Sequence, residues 1–254
     1  MRAIAGAIRV QLEITRHNVM DYYWVLLVPF FALIFMAVLV QSGRADLLAY
    51  ALVGPLLVGI GQMGFYVASE VVSRDRETQT LELEIATPAP LALIVVSRTM
   101  LLTSAGIAGF FECWLVARVV FGETIEIYHL DVLILTLIAT TFAAASTAVI
   151  TSALFSLTRS ARSMQNTITY PLYVLAGVLV PVSFLPDWLE PLSKVIFLSW
   201  SADLLRDALT NAAVNDVALR LAAVLSLGAL ALVAGTLLLD RMIDHLRQQG
   251  RLGL

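Results

Sequence analysis

Charge is what this chain has least of. Only 14% of its 254 residues are Asp, Glu, Lys or Arg, against about 25% in an ordinary soluble domain, so there is too little charge to keep a soluble fold of this size in water. Lysine is nearly absent: Lys194 stands alone against arginine. A phosphate-binding P-loop needs a lysine directly after glycine, and Lys194 follows Ser193, so that loop is excluded. Cysteine is reduced to Cys113, which rules out an internal disulfide and leaves thiol chemistry without a second thiol. His17, His129 and His245 are scattered, and neither a His-Glu-x-x-His zinc pattern nor a Gly-x-Ser-x-Gly elbow occurs. No catalytic set and no metal set is expected. Asp203 and Asp207 would share one helix face like half of a carboxylate metal site, but the other half is missing, and they read as solvation of a surface helix. A net charge of −3 offers no basic footprint for nucleic acid.

Apolar residues are abundant instead, at 59% of the chain with a mean hydropathy of +0.87. Six stretches are long and apolar enough to cross a bilayer: Tyr22 to Val40, Leu47 to Ala68, Val95 to Val120, Leu130 to Leu157, Ile168 to Phe184 and Ala218 to Leu239. The fold class expected is an all-α polytopic membrane protein, a single transmembrane domain over 1–254 with no internal repeat. Six crossings put both termini on one side, together with Arg2, Arg9, Arg16, Arg74, Arg76, Arg98, Arg159, Arg162, Arg241, Arg247 and Arg251. The other side keeps Arg44, Arg118, Lys194, Arg206 and Arg220. Positive charge collects in the cytoplasm, so both termini are expected there. Arginine in place of lysine, with much Ala, Leu and Val, suits a GC-rich bacterium and hence a bacterial cytoplasmic (inner) membrane.

Residues 1–21 are expected to form an amphipathic helix lying in the membrane interface, not a cleaved signal peptide. Arg2, Arg9, Glu13 and Arg16 fall within one arc, and Ile4, Ile8 and Leu12 repeat on another face. The segment 69–94 is the informative loop. It holds the charged run Arg74-Asp-Arg-Glu77, then Leu81 and Ile85, and Thr87-Pro88 reads as an N-cap and first turn. One helix therefore ends near Ile85 and another begins at Pro88. The projecting charged helix between them can pair with a partner surface; the alternative is a solvated loop whose charges keep it out of the membrane.

Within the spans, Gly54, Gly59, Gly61 and Gly64, and the row Thr136, Thr140, Ala143 and Thr147, suit close helix packing. Gln62 and Glu112 are rarer at such depth. A lipid-facing carboxylate near the midplane costs at least ~2.5 kcal/mol, so Glu112 should face protein, water or a translocation path. Tyr66, Tyr170 and Tyr173 could contact an amphiphile on such a path, or serve as interfacial anchors. The outer segment 185–217 is longer than a turn. Pro186, Asp187 and Pro191 break it early, and Leu204, Leu205, Ala208 and Leu209 then form an apolar face opposite Asp203, Arg206 and Asp207. It reads either as short helices capping a path, with Pro186, Trp188 and Arg206 in the cap, or as an amphipathic surface helix anchored by Trp188 and Trp200.

Two motifs resemble a known family. Arg76-Glu-Thr-Gln-Thr-Leu-Glu82 through Thr87-Pro88 is similar to the Arg-Glu-x-Gly-Thr-Leu-Glu and Thr-Pro pattern of ABC type-2 transporter permeases, the membrane subunits of ATP-driven exporters. The segment Val180 to Pro191, followed by Leu204 to Leu209, resembles the outer segment between that family's last two spans. The departure is Gln79, where the family usually has glycine. The resemblance implies that Arg74, Arg76, Glu77, Thr80, Leu81 and Glu82 couple the spans to an ATPase. It implies P-loop ATPase partner subunits that bind ATP and Mg²⁺, since this chain would hold no cofactor itself, and a second permease, identical or related, in a membrane-lipid environment. The expected function is outward movement of an amphiphilic drug, natural product or lipid. Polysaccharide export is the alternative, followed by a membrane-embedded transferase or a secondary transporter.

Overall fold

The computed structural model describes residues 2–43, 48–156, 161–179, 182 and 185–248. Among them the chain is helical and without strands: α1 (Arg2–His17), α2 (Tyr23–Gln41), α3 (Leu48–Gln62), α4 (Val71–Glu77), α5 (Leu81–Ile85), α6 (Leu91–Ser104), α7 (Ala108–Val120), α8 (Leu130–Ser156), α9 (Ala161–Leu175), α10 (Glu190–Ser193), α11 (Phe197–Ala208) and α12 (Val217–Gln248). Five helical runs are long and apolar enough to cross a membrane: Tyr23–Gln41, Ala51–Glu77, Leu91–Val120, Leu130–Ser156 and Val217–His245. The run Ala51–Glu77 is α3 and α4 joined through a π-helical turn at Met63–Val67 and a 3-10 turn at Ala68–Glu70. Leu91–Val120 is α6 and α7 joined by a 3-10 turn at Ala105–Ile107.

Helix α3 stands at the centre, buried on every side over 51–62. Its glycines permit that. A Cβ on Gly61 would collide with the Tyr173 hydroxyl, and where Ala105–Ile107 crosses α3, a Cβ on Gly106 would lie 2.7 Å from Ile60 Cα. The longest helix pair, α8 with α12, closes the same way. Gly235 of α12 meets the Ile150 backbone and Gly228 meets Ala143, so the small-residue row on α8 is a packing surface. Thr136 and Thr140 are fully buried in that row.

The crossing expected over Ile168 to Phe184 takes a different form. Helix α9 starts earlier, runs on through Pro171 and ends at Leu175, where a turn reaches Gly177 at φ +69°. Residues 180, 181, 183 and 184 lie outside the described set, as do Arg44, Arg159 and Arg251 of the charge comparison. Along α9, Gln165 hydrogen-bonds the Phe65 carbonyl, and the Val178 carbonyl lies 3.1 Å from the Cβ position of Gly54. Phe65 and Gly54 are separated by about 16 Å of helix rise. The short helix and its turn thus climb about half the bilayer beside α3.

Helix α11 runs from the depth of mid-α8 toward the start of α8. Ser201 accepts a hydrogen bond from Thr140 at 2.8 Å, and seven residues later the Ala208 carbonyl accepts from the Tyr128 and His129 amides. Leu204, Leu205, Ala208 and Leu209, the apolar face expected for this segment, are buried in the main core. Arg206 departs from the expectation, being buried at 6% exposure and not on the polar face.

Candidate functional site

Helix α4 ends in a Schellman turn. The Gln79 amide donates to the Arg76 carbonyl at 3.2 Å and the Thr80 amide to the Asp75 carbonyl at 2.8 Å, which requires Gln79 to be left-handed, at φ +58°. That is the glycine-type turn of the family pattern, made here by a residue with a side chain. The chain then reverses into α5, whose Leu81 is buried at 1% exposure among Val72, Leu91, Val95, Leu239 and Met242. Helix α6 begins at Leu91 with Pro90 as its N-cap, three residues later than expected. The reason is local: the Thr87 hydroxyl donates backward to the Glu84 carbonyl at 2.7 Å and finishes α5 instead of capping α6.

Beneath the hairpin lies a buried ionic cluster. Arg98 of α6, at 1% exposure, donates to both Asp75 oxygens (2.6 and 3.0 Å), to Glu84 Oε1 (2.7 Å) and through Nε to Gln11 Oε1 (2.7 Å). One guanidinium therefore ties α1, α4 and α5 to α6. Burial pushes the Glu84 carboxyl above its ordinary pKa, with Asp75 adding to the shift and Arg98 opposing it. A second tie joins the α1–α2 corner to α4, where Arg74 donates to both oxygens of the buried Asp21 at 3.0 to 3.1 Å.

The expected coupling residues divide into two sets. Arg74, Arg76 and Leu81 face inward: Arg74 holds Asp21, Arg76 donates to the Ser156 carbonyl at the end of α8 (2.8 Å), and Leu81 lies in the core. Arg76 and Leu81 thus already have contacts within the chain, Leu81 fully and Arg76 as a half-buried side chain. Glu77, Thr80 and Glu82 are exposed, and the exposed apolar residue beside them is Leu83, at 70%. Sequence reasoning missed Asp75, Glu84, Arg98 and Gln11. The available signal was a pair of carboxylates at 75 and 84 bracketing a turn, with an arginine one helical stretch beyond.

Of the expected path residues, four gather along α3 and α9 and one stands apart. Gln62 is buried at the entrance to the π turn, and neither of its amide atoms has a partner among the described residues. Tyr66 lies tilted against Trp24, with ring centroids 4.8 Å apart, and hydrogen-bonds Thr169. Tyr173 is fully buried against Gly61, Tyr170 is half exposed, and both lie near Tyr66. Gln165, not foreseen, donates to the Phe65 carbonyl and Ser69 Oγ; it fell just before the expected start of the fifth span. Glu112 sits on α7, half-buried, one turn beyond Gly109, which packs on Val28 and Leu56. Its Oε2 has no partner among the described residues.

A family model described as ABC-2 type transporter matches residues 5–210, from α1 past the end of α11. The chain belongs to the ABC-2 type transporter family. It is a multi-pass membrane permease subunit of an ABC transporter, and permeases of this family generally work with an ABC ATPase. No curated protein is significantly similar to the chain in sequence.

At the end of the permease opposite the hairpin, Arg206 of α11 donates to the Gly177 and Val178 carbonyls at 2.6 and 3.2 Å and lies 3.8 Å from Asp203. It fastens α11 to the turn that ends α9, with positive charge at a helix C-terminus. Asp207 pairs with Arg220 of α12 at 2.6 Å. Pro186 and Trp188 are exposed, Trp188 at 71%. The structure thus separates the three residues expected in an outer cap: Arg206 is an internal clamp, and the other two lie on the surface.

Proposed function

We propose that this permease is driven by a separate P-loop ATPase, which binds ATP and Mg²⁺ and receives the α4–α5 hairpin, and that it moves an amphiphilic small molecule such as a drug, natural product or lipid out of the cytoplasm. The observation that carries this reading is the hairpin itself. It presents Glu77, Glu82 and Leu83 outward while its inner face is bonded through Arg98 to two other helices, α6 and α1. A load applied at that tip reaches α4 and α6 without loss in a loose loop. Both spans leave α geometry farther along, at Met63–Glu70 and Ala105–Ile107, and Gly106 lies against Ile60 beside the first break. The two breaks offer a common bending level between the coupling end and the rest of the bundle.

The working unit would be two permeases, identical or related, with two ATPases, both permease termini being cytoplasmic in a bacterial inner membrane. Gln62, Tyr66, Tyr170 and Tyr173 would face the path, and α11 would close its outer side. The test uses Leu83→Asp in the full chain, co-expressed with its ATPase. An exposed charge at this site leaves folding intact, so melting in detergent stays parent-like, while ATPase retention and nucleotide-dependent transport in vesicles fall at least about tenfold, the equivalent of 1.4 kcal/mol. Parent-like retention and transport would remove the hairpin from the mechanism.

A further inference from the structure

A cavity of about 390 Å³ opens between the first half of α1 and the bend that precedes α6. Gly6, Ala7 and Val10 form one wall, and Pro88, Ala89 and Ile94 the other. Its polar lining is Thr87, Glu84 and Arg98. The volume lies within the ~300–1,000 Å³ of small-molecule sites.

The charge at the polar end does not balance. Among the described residues Arg98 is the cation hydrogen-bonded to Asp75 and Glu84, and Arg74, which also interacts with Asp75, is matched by its own partner Asp21, so with the carboxylates ionised the cluster carries one net negative charge. The excess has an address. Glu84 Oε1 accepts from Arg98, whereas Oε2 is buried and has no hydrogen-bond partner among the described residues. Uncompensated negative charge at the end of an apolar-walled cavity favours a positive charge placed nearby, whether or not that cation can donate a hydrogen bond. A divalent metal ion does not fit, because it needs several oxygen ligands and the lining supplies one uncommitted carboxylate oxygen with apolar neighbours. An anion would be repelled. A cation carrying apolar groups satisfies both the walls and the carboxylate.

We infer that this cavity is a binding site for an amphiphilic organic cation, an ammonium or phosphonium bearing hydrocarbon groups, whose charge lies at the Glu84 end of the cavity and whose apolar part lies between α1 and the Thr87–Pro90 bend. The site does not depend on ATP-driven export, because it belongs to the chain alone; within an exporter it would be a loading position for that substrate class.

The experiment measures equilibrium binding of radiolabelled tetraphenylphosphonium to the purified full chain in phosphatidylcholine nanodiscs, without ATPase or nucleotide. Saturable binding is expected, displaced by an alkyltrimethylammonium but not by tetraphenylborate, which has nearly the same shape and the opposite charge. Glu84→Gln keeps an oxygen for Arg98 and removes the excess charge, and should weaken binding at least about tenfold. Gly6→Phe supplies the independent control. No atom lies within 4 Å of a Cβ placed on Gly6, so the ring can grow into the cavity, leaving melting unchanged while abolishing binding. Parent-like binding by Gly6→Phe, equal competition by tetraphenylborate, or no saturable binding at all would overturn the proposal. So would displacement of the probe when phosphatidylethanolamine is added to the nanodiscs, which would assign the cavity to a lipid headgroup. Failure of the ATPase-retention test with Leu83→Asp would leave these outcomes untouched.

Discussion

At the scale of the residue, two side chains carry more than their local sequence suggests. Gln79 holds a left-handed turn that costs a side-chain-bearing residue about 1–2 kcal/mol relative to glycine. Gln79→Gly should therefore stabilise the chain by about 1 kcal/mol, seen as a higher melting temperature in detergent; a fall would mean that the Gln79 side chain contributes more than the backbone saves. Arg98 is the opposite case. Arg98→Leu leaves Asp75 and Glu84 buried without their cation, and a loss of about 3–5 kcal/mol is expected. The sequence could not show this. Asp75 and Glu84 look like members of an exposed charged run, and their partner lies 23 and 14 residues away, with Gln11 87 residues from Arg98. Pairing across such distances has no periodic signature, whereas the amphipathic pattern of α11 did reveal its buried leucines.

Glu84 also gives the hairpin a pH dependence. Its carboxyl titrates above the ordinary 4.5 in the folded chain, so folding favours the protonated form. The stabilising contribution is fully present below about 4.5 and disappears as pH rises through the raised value. Melting temperature measured from pH 4 to 8 should therefore fall more in the parent than in Glu84→Gln. Parallel curves would show that the carboxylate is ionised without penalty.

At the scale of the element, hydrophobic length located five runs well and misjudged the ends of others. The second span is expected to stop at Ala68, whereas the helical run passes through π and 3-10 turns into α4 and ends at Glu77, because the charged residues there break the apolar pattern without breaking the helix. Helix α6 starts late because Thr87 spends its hydroxyl on α5, a choice that residue type does not fix. The expected fifth span differs in its bounds because the turn at Gly177 ends α9 within an apolar stretch that composition reads as one helix. Topology can be tested at this level. In a Cys113→Ser background, Thr78→Cys and Asn211→Cys both stand at exposed positions, and with cytoplasmic termini an impermeant external thiol reagent should label only Asn211→Cys. Labelling of Thr78→Cys in intact cells would reverse the orientation and take the hairpin away from any cytoplasmic ATPase.

At the scale of the whole molecule, the chain has a hairpin end and a far end, each with its own clamp. Arg98 and Arg74 gather α1, α4, α5 and α6 at one end; Arg206 and Arg220 fasten α11 to the α9 turn and to α12 at the other. The scarcity of charge that marks the sequence is thus not uniform dilution, because several of the few arginines are spent on fixing helix ends. What unites the two ends is the claim that force enters at the hairpin from another protein. The most direct measurement is affinity purification of the full chain from its native membranes, with the co-eluting polypeptides identified and MgATP hydrolysis assayed for the parent and for Leu83→Asp. The account predicts a P-loop ATPase eluting in equal amount with the parent, active on MgATP, and released from the Leu83→Asp chain. A parent that elutes with no ATPase, or a Leu83→Asp chain that keeps it in full, would contradict the account.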